Sequence, residues 1–221
     1  MKKTQYVSEI IKRLSTIYPN AGISLNYSNL FELLIATILS AQCTDKKVNE
    51  VTKKLFKKYK SFSDFVNIDI KILEKDIYQT GFYRNKSKSI KAISQIIVDK
   101  YNNKIPEDFT DLIKLPGIGR KTANVVLGNY TGSPEGVIVD THMIRLSHLL
   151  KLTNQKNPTK IEIELSKLMP KDEYVHFSNL IIAHGRNICI ARKPKCKDCI
   201  LNDICPSATL NWLLFKFKYN Q

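Results

Sequence analysis

One short segment constrains the fold of this chain more than any other: a glycine hairpin at Leu115–Lys121, with the sequence LPGIGRK. Pro116 fixes the first turn position, and two glycines one residue apart let the backbone take positive φ and approach a ligand closely. The apolar run Thr122–Leu127 predicts a helix, so the amides of Gly117 and Gly119 would lie at a helix N-terminus, where an anion is favoured. The pattern favours binding of a nucleic-acid phosphate over binding of a nucleotide. An ordinary turn between two helices, without any ligand, explains the heptapeptide as well as phosphate binding does.

The charge of the chain narrows the class of partner. Among 221 residues, 35 Lys and Arg stand against 20 Asp and Glu, which gives a net charge of +15. An excess of this size favours a polyanionic partner. Because the lysines are spread over many segments, a solvated lysine-rich surface explains the same composition.

Helical spacing of apolar residues recurs along most of the chain, and hardly any segment alternates as a strand would. The sequence therefore predicts an all-α fold. Asp140 follows the β-branched run Val137–Val139 and is placed to cap the helix after it. The predicted helices cover about residues 4–18, 30–39, 86–101, 158–169 and 173–187, with two short ones within 61–79.

The N-terminus lacks the apolar core of a signal peptide, because Met1–Lys3 is followed by the polar run Thr4–Glu9. The longest apolar stretch, Leu30–Leu39, contains Glu32 and is too short to cross a bilayer. We expect a protein that stays in the cytoplasm and has no membrane partner.

Four of the five cysteines form the second strong signal. They are spaced as Cys189-x6-Cys196-x2-Cys199-x5-Cys205. In a reducing compartment such clustered thiols usually bind metal, and a set of four thiolates suits Zn²⁺ or an iron–sulfur cluster. The single Cys-x2-Cys pair is not the double knuckle of a zinc ribbon, which mildly disfavours zinc. Cys43 stands apart and is expected to be a small buried apolar residue.

These motifs resemble the endonuclease III family, the bifunctional DNA glycosylases and abasic-site lyases of the helix-hairpin-helix superfamily. The resemblance runs from about residue 5 to Cys205. It rests on the hairpin with Lys121, the stretch Val139–His142, the 6-2-5 cysteine spacing, the segment Ser40–Asp45 (SAQCTD) and the segment Gly81–Tyr83 (GFY).

The resemblance implies a two-lobed, all-α helix-hairpin-helix DNA glycosylase fold with a C-terminal iron–sulfur cluster loop. Residues 22–132 would form a helical barrel lobe containing the helix-hairpin-helix at about 108–130. Residues 1–21 and 133–221 would form the second lobe, with the loop at 189–205. It also implies a monomer with a [4Fe–4S] cluster on Cys189, Cys196, Cys199 and Cys205, with Lys193 and Lys195 presented to phosphates.

The implied substrate is double-stranded DNA with damaged pyrimidines or abasic sites. The damaged nucleotide must leave the stack. Lys121 would then attack C1′ and displace the base, leaving an iminium that β-elimination resolves into a nick. Asp140 would stabilise positive charge at C1′ and assist proton transfer.

The same resemblance assigns DNA contacts. Gln42 would fill the vacated space and Phe82 would be the wedge, although the family usually has a smaller aliphatic residue there. Gly117, Gly119 and Arg120 would contact the backbone. Asp45 and His142 are candidates for the pocket wall, and a cap or core role explains each of them equally well.

Three alternatives stay open. Adenine-mismatch glycosylases share the cysteine spacing, but they lack the lysine and carry a further C-terminal domain. The 8-oxoguanine glycosylases have the lysine and generally lack the cysteine loop. A non-catalytic DNA-binding protein could use the hairpin for backbone contacts and the cysteines for structural zinc. The composition suggests an AT-rich genome, and the expected setting is bacterial and nucleoid-associated. The tail at 207–221 departs from the family pattern, and packing against the domain is its default interpretation.

Overall fold

The computed structural model describes residues 2–208, and within that range it consists of helices, turns and loops without a β-strand. This confirms the all-α prediction. The α-helices are α1 Lys3–Ile17, α2 Leu30–Ser40, α3 Asp45–Lys58, α4 Phe62–Asn67, α5 Ile70–Ile77, α6 Tyr83–Tyr101, α7 Phe109–Leu112, α8 Arg120–Tyr130, α9 Thr141–Leu149, α10 Pro158–Ser166 and α11 Tyr174–Asn187. Short 3₁₀ helices cover Tyr78–Thr80, Lys171–Glu173 and Cys196–Asp198. Most of the tail at 207–221, whose packing against the domain was the default interpretation, lies outside the described residues, because these end at 208.

The chain divides into two compact units. The continuous unit is Ile23–Pro134, and its buried core includes Leu34, Phe65 and Ile90. The split unit combines the chain up to Gly22 with the chain from Glu135 onward. Its core joins residues of α1 to residues of α9, α10 and α11.

Local sequence signals determine where several helices begin. The side chain of Asn29 accepts a hydrogen bond from Glu32 N at the start of α2, and Thr44 accepts one from Lys47 N at the start of α3. Such caps satisfy amides that have no partner within the helix. Within residues 2–208, no helix is both long and apolar enough to span a membrane.

Two helix boundaries differ from the predicted ones. Helix α6 begins at Tyr83 rather than Lys86, because the carbonyl of Phe82 accepts bonds from Asn85 N and Lys86 N and closes an earlier turn. Helix α10 ends at Ser166 rather than at residue 169. Spacing of apolar residues detects the buried face of a helix but says little about polar turns at its ends.

Candidate functional site

The glycine hairpin forms a tight turn between α7 and α8. Ile118 N donates to Leu115 O at 3.1 Å, and Gly117 has φ of +81°. A Cβ atom added to Gly117 would lie 3.3 Å from Ser89 Oγ of α6. The turn therefore needs glycine at this position for its backbone conformation and its close packing.

Gly119 behaves differently, because it does not use the positive φ that glycine permits. Its φ and ψ are −93° and 174°, because it is the N-cap of α8 and N-caps take extended backbone. A Cβ atom added to Gly119 would meet no atom within 4 Å. The described residues therefore leave open space beside the N-terminus of α8, and neither backbone conformation nor packing requires glycine at position 119.

The first turn of α8 carries the two predicted basic residues. Lys121 is its second residue and is exposed to solvent. The guanidinium of Arg120 lies over the ring of Phe109, 4.8 Å from its centroid, which fixes this side chain against α7. Since Gly119 has no side chain to cap the helix, the first-turn amides and the helix dipole present positive potential beside Lys121.

Gln42 and Phe82 both follow the end of a helix, and both have left-handed backbone with φ of 54° and 48°. Phe82 is 61% exposed, which is unusual for a side chain of this size. A cavity of about 230 Å³ brings the two residues together with the hairpin. Its walls are Thr37, Ile38, Ala41, Gln42, Phe82, Asn85, Lys86, Ser89, Gly117 and Thr122. Asp45 is absent from this wall and occupies the first position of α3.

Lys86 is a residue of this wall that sequence reasoning missed. Its side chain is buried, and Nζ donates to Leu39 O and to Thr80 O, each at 2.8 Å. Burial lowers its pKa. The signal that could have found it is its register, because Lys86 shares the buried stripe of α6 with Ile90, Ile93 and Ile97.

Asp140 and His142 lie at the start of α9 in the split unit. Asp140 is the N-cap, with Oδ1 accepting from Met143 N at 2.8 Å, as the sequence predicts. His142 packs against Gly185, where an added Cβ atom would lie 2.7 Å from Nδ1. Burial lowers the pKa of His142, opposed by Asp140 and reinforced by Arg145 and Arg186. Within residues 2–208 its Nδ1 has no hydrogen-bond partner.

The four predicted cysteines come together in the split unit. All four are half-buried and line a single cavity, with Leu146, His184 and Leu201 among the other wall residues. Lys193 and Lys195 are exposed on the same loop. Among the described residues, no group of three or more His, Cys, Asp or Glu side chains meets the geometry of a site for one metal ion.

Two N–H groups are directed at these sulfur atoms. Arg145 donates to Cys189 O at 2.6 Å and to Cys189 Sγ at 3.6 Å, and Leu201 N donates to Cys199 Sγ at 3.4 Å. Burial raises the pKa of Cys199 to about 11 and also raises the pKa values of Cys189 and Cys205. Thiolates here need a cationic partner, and the donors around them suit an anionic thiolate cluster. Sequence reasoning did not identify Arg145, because a single arginine in a helix carries no motif.

Three comparisons place this geometry among known proteins. A family model described as HhH-GPD superfamily base excision DNA repair protein matches residues 35–171. Endonuclease III of Synechocystis sp. is 46% identical over 206 residues, 93% of this chain and 94% of that protein. Endonuclease III of Escherichia coli K12 is 39% identical over 197 residues, 89% of this chain and 93% of that protein. A solved structure of a trapped endonuclease III–DNA covalent intermediate aligns with a TM-score of 0.90 at 39% identity, covering 96% of this chain and all of that one.

Proposed function

This chain belongs to the endonuclease III family, whose members are DNA N-glycosylases and abasic-site lyases of base excision repair, and we propose that its substrates are oxidised pyrimidines in duplex DNA. The family is part of the HhH-GPD superfamily. The observation that carries the covalent glycosylase and lyase chemistry of this proposal is the position of Lys121. Its exposed amine follows a helix N-terminus that suits a DNA phosphate. The similar endonuclease III was trapped covalently on DNA.

In the proposed reaction Lys121 Nζ attacks C1′ of the damaged nucleotide and the base departs with the electrons of the glycosidic bond. In the aminated sugar the nitrogen lone pair then opens the ring: the C1′–O4′ bond breaks, O4′ takes up a proton and C1′ becomes an iminium. The iminium acidifies a proton at C2′, and loss of that proton expels the 3′ phosphate by β-elimination. The carboxylate of Asp140 stabilises the positive charge that develops on the sugar. One of its oxygens caps α9, so its orientation is fixed before substrate binds.

DNA binding is assigned to the hairpin and to the two left-handed residues. The amides around Gly119 hold a backbone phosphate. Gln42 occupies the space that the extruded nucleotide leaves, and the exposed ring of Phe82 separates the neighbouring bases. Lys193 and Lys195 add phosphate contacts from the cysteine loop. His142 and Asp45 remain candidates for the wall of the pocket that receives the damaged base. The chain acts as a monomer. The continuous and split units correspond in this proposal to the barrel lobe and the cluster lobe.

Four thiols with N–H donors beside them support the proposal of a [4Fe–4S] cluster in the cysteine cavity. Cys189, Cys196, Cys199 and Cys205 would hold it, and the N–H donors of Arg145 and Leu201 would offset its negative charge. When bound, the cluster supplies structural cross-linking of the loop rather than chemistry on the sugar.

The cofactor proposal predicts the metal content of the purified protein. We expect about four iron atoms per chain, together with equivalent sulfide. Cys199→Ala should lower the iron content and the melting temperature, because three thiolates hold the group less firmly. Elemental analysis and visible absorption measure this. One zinc per chain with no iron would contradict the proposal and favour the structural-zinc alternative.

The substrate proposal is tested on matched duplexes that contain one thymine glycol, one adenine mismatch or no lesion. We expect base release and strand cleavage only with thymine glycol. Borohydride should trap a covalent adduct on that duplex, since it reduces the iminium to a stable amine. Cleavage of the mismatch duplex alone would instead favour the adenine-mismatch alternative.

The two hairpin glycines should respond oppositely to serine. Gly119→Ser places a preferred N-cap residue in extended backbone, so stability should hold, while its side chain occupies the proposed phosphate position. DNA affinity should then fall about tenfold, the effect of one charge-assisted hydrogen bond.

Gly117→Ser forces a side chain into φ of +81° and should cost about 1–2 kcal/mol of stability. Melting curves and fluorescence anisotropy separate the two effects, and unchanged DNA affinity of folded Gly119→Ser would contradict the phosphate assignment.

A further inference from the structure

We propose that Lys86 is a positioning residue that sets the spacing of Gln42 and Phe82 and thereby the ability of the protein to distinguish a lesion from intact DNA. This inference rests on the proposed function, which places Gln42 and Phe82 in the opened duplex. It concerns a residue that would not itself touch DNA bases.

The first support is the set of partners of the Lys86 ammonium. Leu39 O belongs to the last turn of α2, three residues before Gln42, and Thr80 O ends the 3₁₀ helix two residues before Phe82. Carbonyls at helix ends lack partners within the helix and attract a cation. A single buried ammonium therefore ties together the two helix ends from which Gln42 and Phe82 project.

The second support is the backbone beyond those two ends. Gln42 and Phe82 are both non-glycine residues in left-handed backbone. Such conformations are costly and persist only when the surrounding structure enforces them. The Lys86 bridge holds the backbone shortly before both residues, at Leu39 and Thr80, and can therefore enforce both conformations together.

The third support is the place of α6 in the same cavity. Ser89, one turn after Lys86, is close to the hairpin at Gly117, and both residues line the cavity with Gln42 and Phe82. One face of α6 therefore supports the hairpin and the segments of Gln42 and Phe82, three of the segments to which the proposed function assigns DNA contacts. A change at Lys86 should alter their relative positions without removing any of them.

The chain offers a matched control on the same helix. Lys91 donates to Val66 O at 2.9 Å, to Phe65 O at 3.2 Å and to Ile68 O, at the end of α4. It is also a lysine that binds backbone carbonyls at a helix end, but it is absent from the cavity wall. Loss of either lysine should destabilise the fold, whereas only loss of Lys86 should affect lesion recognition.

The experiment compares the native chain with Lys86→Met and Lys91→Met. Methionine keeps most of the aliphatic stem and removes the charge and the donors. Affinity is measured for a duplex with a tetrahydrofuran abasic analogue and for the intact duplex, and unstacking is followed by 2-aminopurine fluorescence opposite the analogue. We expect the ratio of the two affinities to fall about tenfold or more in Lys86→Met, since small misplacements of positioned groups have effects of this size. In Lys91→Met the ratio should stay native.

The outcomes separate this inference from the proposed function. If the native chain does not prefer the lesion duplex, the proposed function fails and the inference fails with it. If the native chain discriminates and both variants lose discrimination in proportion to their melting temperatures, Lys86 is only structural and the inference alone is overturned. Should Lys86→Met not fold, Lys86→Gln, which keeps an amide NH2 group but carries no charge, takes its place with the same expectation. Native discrimination in that folded variant would likewise overturn the inference.

Discussion

Replacement of Lys121 by alanine is expected to abolish both the borohydride-trapped adduct and strand cleavage at a thymine glycol. The amine is the only group of this side chain that can form the bond to C1′, so no partial reaction through it should survive. Because Lys121 is exposed, its loss should change stability by no more than about 0.5 kcal/mol. Gel analysis of trapped product and melting curves measure the two effects.

A second variant, Lys121→Arg, distinguishes a nucleophilic lysine from one that only binds phosphate. A guanidinium retains the positive charge beside the hairpin and binds phosphate well, but it cannot act as the nucleophile. If Lys121 only binds phosphate, the arginine variant should remain active. We expect it to bind the lesion duplex with near-native affinity and to form no adduct. Lys100→Ala, which removes an exposed lysine of α6, serves as the control for charge and should behave as the native chain.

The second large effect is expected at Asp140, where capping and chemistry can be separated. Asparagine is as good an N-cap as aspartate, so Asp140→Asn should keep the bond to Met143 N and nearly all of the stability. It removes the carboxylate charge, and the single-turnover rate of base release should fall about 10²- to 10⁴-fold. Asp140→Ala should lose activity similarly and also lose about 1 kcal/mol of stability.

The opposite pattern would show that Asp140 is only a cap. In that case the asparagine variant would retain the native rate, and the alanine variant would lose activity in parallel with its melting temperature. Rates should be taken at saturating enzyme, so that weaker DNA binding does not lower them.

The sequence predicted those parts of this structure that depend on neighbouring residues. The cap at Asp140 follows from a short polar side chain placed before a helical segment, and its hydrogen bond from Met143 N confirms it. The sequence left the backbone of Gly119 open, since a glycine permits positive φ without requiring it, and the N-cap position determines an extended backbone there. The roles proposed for Lys121, Gln42 and the cysteine loop came from motif resemblance and stay proposals.

The rest depends on contacts between distant segments. Lys86 looked like one more surface lysine because its acceptors, Leu39 O and Thr80 O, come from two other elements. Arg145 escaped notice for the same reason, since Cys189 lies 44 residues away along the chain. Periodicity shows that a residue faces the core, but it does not show which carbonyl or sulfur atom of another segment its side chain will contact.

The split unit also has a consequence for how the chain folds as it is synthesised. Val7 and Leu14 of α1 belong to the same buried core as Phe177 and Ile181 of α11, whereas the continuous unit needs only residues 23–134. At a translation rate of about 5–20 residues per second, α1 leaves the ribosome roughly 10 to 35 s before its partners in α11. The continuous unit can fold during that interval, so α1, which precedes it in the chain, reaches its native neighbours only after α11 has been made, and its apolar face is open to chaperones until then.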